Sequence, residues 1–153
     1  MQSVDMSDLD KLSRDLDALL KEMPSKRRGL HERIGQTIKT EVDGQIATSG
    51  INDSRGRIKA WQTANVGDKG GYAAVRARKG TVGANSPGAI TNYLENGHHI
   101  RGPLGKSKQY RPRVKKAYVD GFHFYKAARS ASESKAIEEA ERFVDELKQA
   151  LEG

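Results

Sequence analysis

Glu95, His98 and His99, with Arg101, Lys106, Lys108, Arg111, Arg113, Lys115 and Lys116 just beyond, are the residues of this chain with the most chemistry open to them. A carboxylate beside two imidazoles could hold a metal ion or move protons, and a glycine-punctuated run of cations could cradle phosphate or lie against an acidic surface. Spacing decides between these. A metal site needs three or four convergent ligands, but consecutive side chains diverge on regular structure, and no H-E-x-x-H or comparable spacing joins His98 and His99 to Glu95, His31 or His123. No nucleophile in a recognisable context stands near for a histidine to activate. Gly105-Lys106-Ser107 imitates the end of a phosphate loop, yet the glycine required five residues earlier falls at Ile100, and no helical pattern follows to supply the amide cradle. We therefore expect no catalytic residue, no metal ligand and no cofactor, and read the chain as a non-enzyme. What remains is a surface: seven cations from Arg101 to Lys116, with no acid before Asp120.

Charge is segregated along the chain. Residues 1–54 carry 8 Lys+Arg against 10 Asp+Glu, residues 55–118 carry 14 against 2, and residues 119–153 carry 5 against 8. The middle is thus +12 between ends of −2 and −3, a field that favours polyanions or acidic protein faces as neighbours. No helix-turn-helix, finger or other base-reading module accompanies it, so sequence-specific DNA recognition is not indicated.

The elements that must position these residues come from a lean composition, 35% apolar, 6% aromatic and 31% charged, over 153 residues. That suffices for one modest core, and a single domain over residues 1–153 is expected, with a helical part (1–50), a basic strand-rich part with long loops (55–120) and a C-terminal helical part (121–153). Cysteine is absent, which excludes disulfides and thiolate chemistry and suits a reducing cytoplasm. No run of about 18 apolar residues and no basic-then-apolar leader occurs, so neither membrane spanning nor export is expected.

Ser7 with Asp10 has the form of a capping box, and Leu9, Leu12, Leu16, Leu19, Leu20 and Met23 follow at helical spacing up to Pro24. A second helix is predicted from Ser25, with Leu30, Ile34, Ile38, Val42 and Ile46 every four residues, ending near Ser49 and Gly50. Lys26, Arg27 and Arg28 fall in its first turn, where the helix dipole disfavours cations. Alternation over Arg57–Val66 and Tyr72–Lys79, separated by Asp68-Lys69-Gly70-Gly71, predicts a β-hairpin, and Gly80–Gly88 a loop. Ala89–Glu95 is predicted as a short helix with Tyr93 and Leu94 inward, stopped by Asn96-Gly97. An exposed loop over Arg101–Gln109 and a third strand over Tyr110–Val119 follow. Beyond Ser132, the spacing of Ile137, Ala140, Val144, Leu147 and Leu151 marks a final amphipathic helix. The fold class is α+β: two N-terminal helices, a small antiparallel sheet including a hairpin, and a C-terminal amphipathic helix packed on the sheet.

"TNYLENGHHIRG", followed after a basic loop by "YRPRVKKAYVDGFHFYKAARSASESKAIEEAERFVDEL", resembles a family of small tailed-bacteriophage structural proteins that act in head-tail joining and tail completion at the neck. In that family an aromatic-x-E-x-G-h segment precedes a strand, and a G-x-x-F-like turn leads into the last helix. Tyr93, Glu95, Gly97 and His98 occupy the first pattern, and Gly121, Phe122 and Phe124 the second. The resemblance implies a virion protein that forms a homo-oligomeric ring, docks to other neck and tail proteins, and surrounds genomic DNA as it passes. A tail terminator is the neighbouring role, and a non-specific DNA-binding protein using the basic middle is the rival from another class. On this reading Arg101, Lys106, Lys108, Arg111, Arg113, Lys115 and Lys116 meet a partner ring or DNA, while Glu95 caps or pairs locally with His98 or Arg101, or pairs with a cation on the next subunit. Phe122, Phe124 and Tyr125 pack the last helix on the sheet.

Overall fold

The computed structural model describes residues 6–80, 82–100 and 116–152. In chain order the elements are α1 (Ser7–Thr48), α2 (Arg57–Trp61), β1 (Gln62–Val66), β2 (Ala73–Ala77), α3 (Pro87–Asn96), β3 (His98–His99), β4 (Tyr118–Val119) and α4 (Phe124–Glu152). The class is α+β, as the patterning requires. β1 and β2 form the hairpin, with Gly67 N–H donating to the Tyr72 carbonyl at 3.0 Å across the turn and Arg78 N–H to the Trp61 carbonyl at 2.7 Å at the open end. β3 and β4 form a second antiparallel pair, His98 opposite Val119 and His99 opposite Tyr118.

The largest differences from the sequence expectation fall at three boundaries, while α3 also extends the expected Ala89–Glu95 to Pro87–Asn96. The two helices expected on either side of Pro24 run on as one helix, with Pro24 inside it. A proline forfeits the single bond its nitrogen would give to the carbonyl four residues back, and well-patterned turns on both sides outweigh that local cost. Residues Arg57–Trp61, read as the start of a strand, are instead a helical turn, because the Asp53 carboxylate accepts from Ile58 N–H at 3.0 Å and Lys59 N–H at 3.1 Å. The last helix starts at Phe124 rather than beyond Ser132, because the Glu95 carboxylate accepts from the amides of its first turn. Of the expected strand Tyr110–Val119, the end at Tyr118–Val119 is a strand, and Tyr110–Lys115 lies outside the described residues.

The described chain gathers into two compact units, each holding part of α1, part of the hairpin and part of α4. The first is drawn from residues 6–40, 64–75 and 131–152. Here the hairpin closes on α1 through small residues: a Cβ added at buried Gly35 would meet the Cβ atoms of Ala64 at 3.4 Å and Ala73 at 3.5 Å. Arg27 donates to the Lys69 carbonyl at 2.9 Å, and Gly70, at φ 64, leaves room for Arg28. Lys26 and Arg28 pair along the helix with Glu22 and Glu32, and because α1 runs on through Pro24 they stand mid-helix, away from the first turn where the dipole disfavours cations. Arg33 reaches α4, pairing with Glu139 at 3.0 Å and Glu146 at 3.6 Å.

The second unit, drawn from residues 41–63, 76–80, 82–100 and 116–130, holds most of the buried apolar side chains: Val42, Ile46, Trp61, Phe124 and Ala128, with Leu30 belonging to the first. Val42, Ile46 and Phe124 have no exposure at all. Among the described residues no helix is long and apolar enough to cross a membrane.

Candidate functional site

Within the second unit the end of α3 meets the start of α4, and Glu95 joins them. Pro87 at the first turn and Ser86, whose hydroxyl accepts from Ala89 N–H at 3.2 Å, start α3, and Gly97 ends it with its N–H on the Tyr93 carbonyl at 2.9 Å. Glu95 stands near that end. Its two carboxylate oxygens accept from Tyr125 N–H at 2.8 Å and Lys126 N–H at 3.1 Å, the first-turn amides of α4. A carboxylate across the first turn of a helix satisfies donors that have no intrahelical partner and meets the positive end of the dipole. Hence α4 begins at Phe124 without a cap in its own neighbourhood. Of the roles expected for Glu95, a cap is the one these two bonds make, and Arg101 lies outside the described residues.

The backbone follows the same seam. Phe122 N–H donates to the Leu94 carbonyl at 2.7 Å and His123 N–H to the Glu95 carbonyl at 3.2 Å, while the His123 carbonyl accepts from Ala127 N–H at 3.0 Å. His123 sits at φ 53, a left-handed conformation that a non-glycine residue takes only where its surroundings hold it, as these bonds do. Gly97, at φ 77 and ψ 179, and Gly121 let the strands approach this closely. A Cβ on Gly97 would overlap the Val119 carbonyl, and one on Gly121 the Glu95 carbonyl. Contact between backbones therefore requires glycine at both positions.

Behind the seam lies a buried polar chain. Tyr125 Oη donates to Gln62 Oε1, and Gln62 Nε2 donates to the Ile58 carbonyl at 2.9 Å and towards Thr91 Oγ1 at 3.4 Å. Gln62 is 1% exposed, so its amide depends on these partners. Burial, and after it the Glu95 carboxylate, push the Tyr125 hydroxyl from the ordinary 10.0 up to about 12, against an opposing backbone hydrogen bond at Ala77. Phe124 is buried and packs as expected, and its ring meets that of Tyr125 at 4.7 Å. Phe122 does not: it is exposed, as is Tyr93, which was expected to point inward and instead lays its ring against His98 at 5.2 Å. His99 meets Tyr118 edge-on at 5.0 Å. Tyr93, His98 and His99 line an open cleft of about 510 Å³ with Asn92, Gly97 and Ala84.

Of the cations assigned to a partner surface, Lys116 is described and exposed, and Arg101, Lys106, Lys108, Arg111, Arg113 and Lys115 lie outside the described residues. The described part of the basic middle adds a second cationic feature that sequence reasoning missed. Arg55 and Arg57 rim a cleft of about 290 Å³ whose apolar lining is Ile58, Trp61 and Ile90. The Arg57 guanidinium lies 5.5 Å from the centre of the Trp61 ring, within cation–π range. The signal for it was Asp53, an N-terminal carboxylate ahead of a turn that placed the only tryptophan beside two arginines. Comparison of the chain with protein families, with curated proteins and with solved structures finds no match.

Proposed function

We propose that this chain is a structural virion protein of a tailed bacteriophage that acts at the head-tail interface, in the neck or in tail completion. It works by assembling into a ring of identical copies and docking to the neighbouring rings, with genomic DNA passing through. It would be synthesised in the cytoplasm of the bacterial host and carried in the virion. The observation that supports this best is the Glu95 seam. Residues about thirty apart in the chain, which together carry the resemblance, turn out to be one mechanically joined unit in which Glu95, Gly97 and Gly121 each have a specific physical task. A thin core also suits a subunit that completes its burial in an assembly.

The test is electron microscopy of joined and unjoined particles formed with and without the purified protein. Rings at the junction, and heads that join tails only when the protein is added, are the expected result. A stopper at the tail end rather than at the junction would make it a tail terminator. The basic middle favours a second reading, non-specific DNA binding, with Arg76, Arg78 and Lys79 exposed on and just after β2 in addition to Lys116. Tight binding to duplex DNA at physiological ionic strength, with a steep salt slope, would replace the docking role by that one. Replacing Arg101, Lys106 and Lys108 together by serine should impair joining without altering the melting of the subunit.

A further inference from the structure

The N-terminal half of α1 carries an apolar stripe that the described residues leave largely exposed, with Leu19 and Met23 at its side half-buried. Leu9, Leu12, Leu16 and Leu20 are 57%, 44%, 42% and 67% exposed, although a stripe of this regularity is what normally seats a helix on a core. At 100° per residue the borders of the stripe are acidic on both sides, Asp8 and Asp15 along one edge and Asp10 and Asp17 along the other, and the cations Lys11, Arg14 and Lys21 fall on the opposite face. Two such stripes brought together would set acid against acid. The other exposed apolar helix face, Ile137, Ala140 and Val144 on α4, is bordered by Glu141 and Asp145, with Lys148 the one cation, and is no better matched. The cleft of Ile58, Trp61 and Ile90 has the opposite charge: these apolar residues line it with Asn52, Ser54, Arg55 and Arg57, and the Asp53 carboxylate is turned to the amides of α2.

We infer that the leucine stripe of one copy docks over the arginine-rimmed cleft of a second copy. Leucine side chains fill the apolar floor, and the bordering aspartates meet Arg55 and Arg57 in charge-assisted contacts. The choice of a second copy as occupant rests on the ring reading above; the pairing of these two surfaces rests on their charge and apolar complementarity. Every copy offers one stripe and one cleft, so the contact is head-to-tail and propagates from copy to copy until it closes.

Sedimentation of the full chain tests this without heads, tails or DNA. Wild type should self-associate, and Leu12→Asp/Leu16→Asp and Arg55→Glu/Arg57→Glu should each weaken association on the order of a hundredfold, since each places an unmatched charge in the contact. Both should retain the wild-type helical spectrum, and Arg55→Glu alone serves if the double cleft variant unfolds. The decisive sample is the equimolar mixture. The stripe variant keeps a working cleft and the cleft variant a working stripe, so the mixture should give a one-to-one heterodimer and nothing larger. A mixture that stays monomeric, or a stripe or cleft variant that assembles like wild type, overturns the inference and leaves the ring reading standing. A wild type that stays monomeric at all concentrations overturns both.

Discussion

The two ends of α1 both carry apolar residues at helical spacing, and these have opposite fates. At its C-terminal end Val42 and Ile46 are wholly buried, whereas at its N-terminal end Leu12 and Leu16 are nearly half exposed. An apolar stripe at 3.6-residue spacing states that a helix has a face to bury. It does not state what buries it, and here the described residues cover one end and leave the other largely exposed. Substitutions along this one helix should therefore read out two different quantities, subunit stability at one end and association at the other.

The largest effect is expected at the covered end. Ile46→Ala or Phe124→Ala empties a site with no exposure, and should cost about 2–5 kcal/mol in urea unfolding of the monomer. A cost under about 1 kcal/mol at both would mean that the second unit is loosely packed and that the contrast between the ends of α1 is weaker than their burial indicates.

Next comes the seam. Gly97→Ala puts a side chain on a backbone at φ 77 and ψ 179 and into the Val119 carbonyl, and should cost at least about 2 kcal/mol. Gly121→Ala should be comparable, through the Glu95 carbonyl. If both are tolerated, the β3–β4 pair is free to shift away from α3. Glu95→Gln should cost less, about 1–2 kcal/mol, because an amide oxygen still accepts one N–H but loses the charge that faces the helix dipole and the second acceptor. Hydrogen exchange should localise the loss to the first turn of α4.

How much of this was legible in the sequence follows from the range over which each cause acts. The helices, the hairpin and the α+β class rest on periodicity and turn residues within a few positions of each other, and these were readable. The continuity of α1 through Pro24 was not, because a proline signals a local cost while the outcome depends on turns either side of it. Glu95 shows the limit most clearly. Its type and its place in a motif were visible, but its partners are the amides of Tyr125 and Lys126, and no local spacing reports a cap delivered from that far along the chain. Tyr93 failed for the converse reason: its helical position suggested burial, and α3 is short enough that its face ends against His98 instead of a core. The cleft of Arg55, Arg57 and Trp61 was hidden by reading Arg57–Val66 as strand throughout.

A smaller effect is expected from pH, through Tyr125. Its hydroxyl is held near 12 in the folded chain against 10.0 ordinarily, so between those values the unfolded chain releases a proton that the folded chain keeps. The stability contributed is intact below pH 10 and is lost as pH rises towards 12. Tyr125→Phe should flatten that part of the stability curve relative to wild type, while lowering stability at neutral pH because Gln62 loses the hydroxyl donor at its oxygen. Identical alkaline slopes in the two proteins would show that the hydroxyl is solvated rather than held against Gln62.

The smallest effect on the subunit is expected at the uncovered end, and it is the most informative. Leu12→Ala/Leu16→Ala removes side chains already nearly half in water, so the monomer loses chiefly their mutual contact along the helix, worth about 0.2–0.5 kcal/mol. Alanine's slightly better helix propensity returns a part of that, roughly 0.2 kcal/mol per residue. The net change in a dilute sample should lie within about 0.5 kcal/mol, the range of an ordinary surface substitution. Association behaves otherwise, since anything that binds only the folded form raises the melting temperature with concentration. Wild type should therefore melt higher as the protein is concentrated, and the double alanine variant should melt at one temperature throughout. A variant that is strongly destabilised even when dilute would mean that the stripe is part of the subunit's own core, and the contrast between the two ends of α1 would disappear.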